Sequence, residues 1–109
     1  EKSIQLSETF ITLIQQECTE FGFELLSPKN ADQRGSQISF KHDDAYPIMQ
    51  TLISHGVIGD YREPNILRFG ISPLYMRFED IWEAIMCLKN IMESREWDSD
   101  QFKKRNYVT

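Results

Sequence analysis

The sequence predicts an α/β (α+β) two-layer sandwich, a small mixed or antiparallel sheet of about three or four strands packed against about three helices. Three observations carry this expectation. Helix-period apolar stripes open and close the chain, with another near its middle, and short alternating segments lie between them. The links between neighbouring strand candidates are short, which suits antiparallel pairing. The chain has 109 residues, 40% hydrophobic and 27% charged, the balance of one folded domain able to bury its own core. Residues 1–109 are therefore read as a single domain.

From Ser3 to Glu20, apolar residues recur at Ile4, Phe10, Ile11, Leu13, Ile14, Cys18 and Phe21, close to a 3.6-residue period. Ser3 is the candidate N-cap and Gly22 the candidate stop. Phe23 to Ser27 reads as a short strand, and Pro28 through Gly35 as a polar loop. Ser36 to His42 alternates, with Ile38 and Phe40 on one face, the pattern of a half-buried strand. Asp43 and Asp44 ahead of Ala45-Tyr46-Pro47 mark a helix start. Tyr46, Met49, Leu52 and Ile53 give that helix an apolar stripe, and His55-Gly56 ends it. Val57 to Tyr61 is a strand candidate, Arg62-Glu63-Pro64-Asn65 a turn, and Ile66 to Phe69 a further strand. Alternation places Leu67 with Phe69 on one face and Ile66 with Arg68 on the other. Phe78 to Ser94 is the strongest helix, with Phe78, Ile81, Trp82, Ile85, Leu88 and Met92 at three- and four-residue steps. Arg95 to Thr109 is polar with scattered aromatics, suited to wrapping over this domain or a neighbour.

The chemistry these residues offer is sparse. The net charge is −5, which disfavours nucleic acid. The basic cluster Lys103-Lys104-Arg105 reads as a solvated end. The apolar runs are too short to cross a bilayer. No signal peptide is expected, and the location is expected to be cytoplasmic. Cys18 and Cys87 lack metal-ligand spacing and read as buried free thiols in a reducing compartment, with a disulfide left open. No nucleophile elbow, phosphate-cradling glycine run or zinc-protease motif is present. His42 and His55 read as structural or solvent-facing rather than as a shared metal site. Asp43 and Asp44 read as caps, Asp60 and Glu63 as solvated turn residues, and Arg34 as a surface ion-pair partner. Arg68 interrupts an apolar strand. On residues alone it is an exposed or internally paired arginine, with a carboxylate clamp as the functional alternative.

Several long strings then resemble kynureninase, in order along the chain. They are Arg34-Gly35-Ser36-Gln37-Ile38-Ser39-Phe40, the run from Gly56 to Gly70 that contains Asp60-Tyr61-Arg62-Glu63-Pro64-Asn65-Ile66-Leu67-Arg68-Phe69, Ser72-Pro73-Leu74-Tyr75 with Arg77-Phe78-Glu79-Asp80-Ile81-Trp82, Arg95-Glu96-Trp97-Asp98, and Val108-Thr109. The resemblance covers essentially the whole chain. It implies the C-terminal small domain of a pyridoxal-phosphate enzyme of the aspartate-aminotransferase fold (fold type I), homodimeric, with a separate large cofactor-binding domain. The implied reaction is hydrolysis of L-kynurenine, or 3-hydroxykynurenine, to anthranilate, or 3-hydroxyanthranilate, and L-alanine in tryptophan catabolism, the kynurenine pathway towards NAD. The family's cofactor lysine and phosphate ligands have no matching position among Lys2, Lys29, Lys41, Lys89, Lys103 and Lys104. No bound cofactor, metal or catalytic residue is therefore expected in this chain, and the chain alone is expected to be inactive. Arg68 matches the family's arginine for the substrate α-carboxylate, which turns the reading of Arg68 toward the clamp. The initial Glu1 suggests a processed chain or a piece of a longer one. The alternatives are a free-standing small-molecule-binding or regulatory α/β module, and a mainly structural or dimer-contact element.

Overall fold

The computed structural model describes residues 2–26, 37–70 and 76–103. The element order is helix α1 (Lys2–Glu17), a 3-10 turn (Thr19–Phe21), β1 (Glu24–Leu25), β2 (Gln37–Lys41), α2 (Ala45–Ser54), β3 (Asp60–Arg62), β4 (Ile66–Gly70), α3 (Phe78–Ser94) and α4 (Asp100–Lys103). The four strands form one sheet in the order β1-β2-β4-β3, antiparallel throughout. The two-layer arrangement expected from the sequence is present, and the sheet is the antiparallel rather than the mixed form.

The central pair is β2 with β4, which places Ile38 opposite Phe69 and Phe40 opposite Leu67. All four side chains are buried. They meet Leu6, Phe10, Ile14, Ile48, Met49 and Leu52 from α1 and α2, and Ile81, Ile85 and Leu88 from α3. Phe10 is the hinge of this contact, its ring 4.9 Å from Phe69 and 6.3 Å from Phe40. Helices α1 and α3 pack on each other. A Lys89–Glu17 ion pair of 3.0 Å joins them at the edge of their contact.

Several boundaries differ from the sequence reading, each for a local reason. Lys2 is already helical, so Ser3 lies inside α1 instead of capping it. The end of that helix tightens into the 3-10 turn, and Gly22 closes it at φ 86°, a left-handed conformation that suits glycine. At the end of α2, Gly56 takes φ 89° and the Val57 N–H donates to the Leu52 carbonyl at 3.0 Å. Val57 thus serves the helix cap, and β3 starts only at Asp60. Asp44 occupies the N-cap position of α2 without a capping side-chain bond. His42 does that work: its Nδ1 accepts the Asp44 N–H at 2.9 Å, which leaves the proton on Nε2 to donate to the Phe21 carbonyl at 2.7 Å. Its ring also lies 4.7 Å from Phe23.

On α3, Ile81, Ile85, Leu88 and Met92 face the core as the periodicity predicts, with Ile91 beside them. Phe78 and Trp82, placed on the same stripe by the sequence, are 45% and 49% exposed. They lie on a flank of the apolar stripe that α1, α2 and the sheet do not reach. After α3, Arg95 turns the chain at φ 58° and Trp97 is buried, its ring 5.1 Å from the Arg95 guanidinium carbon. Asp98 is bonded by Arg95 at 2.8 Å and by Lys103 at 2.5 Å, and α4 packs against α2. Up to Lys103 the segment after α3 wraps over its own domain. Pro28 through Gly35, Ser72 to Tyr75 and the last six residues, 104–109, lie outside the described residues.

Cys18 is fully buried beside α3, and Cys87 is partly exposed rather than buried; both are free thiols. Burial, reinforced by the Glu17 charge, pushes the Cys18 thiol up to about 11 from 9.0. The folded state therefore holds this proton at a pH where the unfolded chain has lost it. The resulting stability is complete below about pH 9 and is lost as pH rises from there through about 11. Urea midpoints of the domain measured across that window should fall more steeply than those of Cys18→Ala. Parallel curves would show that the thiol contributes nothing to the alkaline transition.

Candidate functional site

The same alternation that buries Leu67 and Phe69 turns Arg68 to the opposite face of the sheet. Arg68 stands between Ser39 on β2 and Asp60 on β3, its register partners on either side. Its Nε donates to Asp60 Oδ1 at 3.0 Å and its Nη2 to Asp60 Oδ2 at 2.8 Å. This is the side-on, two-point arginine–carboxylate contact. The Arg68 side chain is 25% exposed and that of Asp60 is 50% exposed. Water screens a pair so placed, so it adds little to stability, roughly 0–1 kcal/mol. The arrangement is better suited to fixing a guanidinium than to holding the sheet together.

Asp60, read from the sequence as a solvated turn residue, is half exposed but ion-paired, and it lies in β3 rather than in the turn. It is the partner of Arg68, which no pattern within residues 57–61 indicates, because the pairing depends on the strand that follows the turn. The turn comprises Glu63, Pro64 and Asn65, so Arg62 pairs with Ile66 and Asp60 with Arg68. Glu63-Pro64 is a cis peptide, and the Tyr61 hydroxyl donates to the Pro64 carbonyl at 2.5 Å. On the core face, Tyr61 meets Tyr46 of α2 edge-on, with ring centroids 5.2 Å apart.

Gly59 sets how closely β3 approaches. A Cβ added there would lie 2.9 Å from the Arg68 carbonyl oxygen and 2.9 Å from the Met49 methyl carbon. The methionine end can move, but a backbone oxygen in a ladder cannot do so freely.

The other candidates do not gather around Arg68. His55 bonds Glu96 at 2.9 Å, joining the end of α2 to the segment after α3. His42 is the corner residue described above. No cluster of three or more metal-ligand side chains occurs among the described residues. The Cys87 thiol is raised by burial and by the Glu96 charge, opposite to what an activated nucleophile requires. Arg34 lies outside the described residues. An open, mainly apolar groove of about 380 Å³ runs between Phe10, Val57, Phe69, Met76 and Cys87. Neither Arg68 nor Asp60 lines it. No described helix is long and apolar enough to cross a membrane.

Fold and site together define a small two-layer α+β domain that holds an arginine, gripped by a carboxylate, on the sheet face away from its core. Residues 1–88 match the family model described as the kynureninase C-terminal domain. Kynureninases of Burkholderia mallei and Burkholderia pseudomallei are 46% identical over 108 residues, covering 99% of this chain and 26% of each relative. The kynureninase of Pseudomonas fluorescens is 44% identical over the same coverage. The chain belongs to the kynureninase family and corresponds to its C-terminal domain. It spans about a quarter of the length of these curated relatives.

Gly59→Ala should lower the domain's unfolding free energy by about 1–3 kcal/mol, the usual cost of forcing extra volume into packed surroundings. Urea unfolding measures this directly. An unchanged midpoint would show that β3 can retreat without penalty.

Proposed function

We propose that this chain is the C-terminal domain of an enzyme that hydrolyses L-kynurenine or 3-hydroxykynurenine to the corresponding anthranilate and L-alanine. In this reading Arg68 binds the substrate's α-carboxylate. The enzyme would be a cytoplasmic homodimer using pyridoxal phosphate carried on the large domain of the same chain. The observation that carries the reading is the grip of Arg68 on a carboxylate, with two charge-assisted bonds of 3.0 and 2.8 Å. The planar fork suits a carboxylate in a way a lysine point charge does not. Family membership supplies the identity of the substrate class.

Neither Lys89 nor Lys103 fits the Schiff-base lysine of a pyridoxal-phosphate site. A Schiff-base lysine must shed its proton. Lys89 is held above its ordinary range by its hydrogen bond to Glu17, and Lys103 by its bond to Asp98. Both are locked in ion pairs at the domain surface. The cofactor, which supplies an electron sink when bound, is accordingly assigned to the three-quarters of the relatives that this chain does not span. The part left to this chain is orientation: a carboxylate held at two points cannot rotate, so the rest of the substrate is aimed in one direction.

Exposed apolar side chains support a docked neighbour. Ile58 is 80% exposed, and Phe78 and Trp82 are about half exposed. The large domain of the same chain is the proposed cover.

Arg68→Lys in the full-length enzyme should raise KM for kynurenine and lower kcat. The loss should be about 1.5–3 kcal/mol, or roughly ten- to a hundredfold in kcat/KM. Unchanged kcat/KM would remove the clamp from the mechanism. The 109-residue chain by itself should release no anthranilate from kynurenine and show no near-visible cofactor absorbance after incubation with pyridoxal phosphate. Measurable anthranilate release would mean that the chain carries its own catalytic site.

A further inference from the structure

The clamp reading leaves Asp60 without a role, yet Asp60 is the residue the arginine touches. A guanidinium offers two edges that can each take a carboxylate at two points. The side edge comprises the Nε–H and one Nη2–H, and the end edge comprises one N–H from each of Nη1 and Nη2. Asp60 occupies the side edge, through Nε to Oδ1 at 3.0 Å and Nη2 to Oδ2 at 2.8 Å. Among the described residues, no side chain bonds Nη1 of Arg68. Asp60 itself cannot swing far, because its backbone is laddered directly opposite Arg68 in the β3–β4 pair.

We infer that Asp60 is a positioning residue for the substrate carboxylate: it holds Arg68 by the side edge and so presents the end edge to the incoming ligand. This rests on the reading of Arg68 as the substrate's carboxylate ligand. The physical gain is preorganisation. An arginine that is a quarter exposed would otherwise sample many rotamers, and the substrate would have to immobilise it on binding. The opposing effect is repulsion between two carboxylates sharing one cation. Asp60 is half exposed, so water screens that repulsion while leaving the short hydrogen bonds intact. Orientation therefore outweighs repulsion. The contrary arrangement makes Asp60 a placeholder that the substrate must displace. The two differ in sign, since removing a placeholder tightens binding and removing a positioner weakens it.

The test uses the full-length holoenzyme with Asp60→Asn, Arg68→Lys and the double variant. Asp60→Asn nearly preserves shape while deleting the charge and one acceptor. Steady-state kinetics with kynurenine are read beside inhibition constants for two probes, a kynurenine-like amino-acid inhibitor and its decarboxylated amine. Asp60→Asn should raise KM and the amino acid's inhibition constant roughly tenfold, with kcat much less affected. The amine's constant should stay near its wild-type value, because the amine has no carboxylate to orient. In an Arg68→Lys background the same substitution should change little, as expected of two residues acting through one contact. A lower or unchanged KM in Asp60→Asn overturns the inference, as does equal weakening of both probes. Should Asp60→Asn not fold, Asp60→Glu, which moves the carboxylate by one methylene, is read by the same ratio. Failure of the clamp reading shows separately: Arg68→Lys would then leave the amino-acid-to-amine ratio at its wild-type value. If Arg68→Lys collapses that ratio and Asp60→Asn does not, the clamp stands and Asp60 is only a surface ion-pair partner.

Discussion

The pleat of the β2–β4 ladder decides which side of this domain is core and which side can do chemistry. Ile38, Phe40, Leu67 and Phe69 point one way, while Ser39 and Arg68 point the other. Burial stabilises each large apolar side chain by about 1.5–3 kcal/mol. A surface ion pair is worth about 1 kcal/mol or less. A one-residue slip of β4 would expose Leu67 and Phe69 and bury Arg68, so the register is held by the core. The site inherits its geometry from that outcome. Arg68 is placed by Leu67 and Phe69, not by its own partner.

The edge strand then completes the arrangement. Among the described strands β3 pairs only with β4, and its position is set from both ends. On the N-terminal side, the Val57 N–H and Gly56 close α2, and Gly59 allows the chain to approach the Arg68 carbonyl closely. On the C-terminal side, the turn through Glu63, Pro64 and Asn65 sets the pairing, with the Tyr61 hydroxyl tied to Pro64. Tyr61 anchors the strand on α2 from the core side, and Asp60 emerges on the opposite face. Two neighbouring residues thus serve opposite layers, as successive strand positions must.

His42 plays a comparable part at another corner. One imidazole joins the turn before β1 to the start of α2 by using both ring nitrogens. The acidic pair Asp43-Asp44 had been read as the capping device of α2, yet the ring of the preceding residue does that work. Such substitutions of one polar group for another are hard to read from composition, because many side chains can satisfy the same backbone donor.

Local pattern by itself determined most of the architecture: the long helix Phe78–Ser94, the half-buried strands, the helix stops at Gly22 and Gly56, and the opposed faces of Leu67 and Arg68. Hydrophobic period and glycine φ preference act over a few residues, so they are written in adjacent letters. The run of strings resembling kynureninase named the family that the comparisons then showed. What the sequence left open depends on contacts between segments. Asp60 lies within the strand candidate of residues 57–61, yet nothing in that segment says which residue of the next strand it faces. Phe78 and Trp82 matched the apolar period of α3, but how far the core extends around a helix depends on what packs against it. Tertiary structure alone decided that Arg68 meets Asp60, because their pairing is a property of two strands in register rather than of either segment.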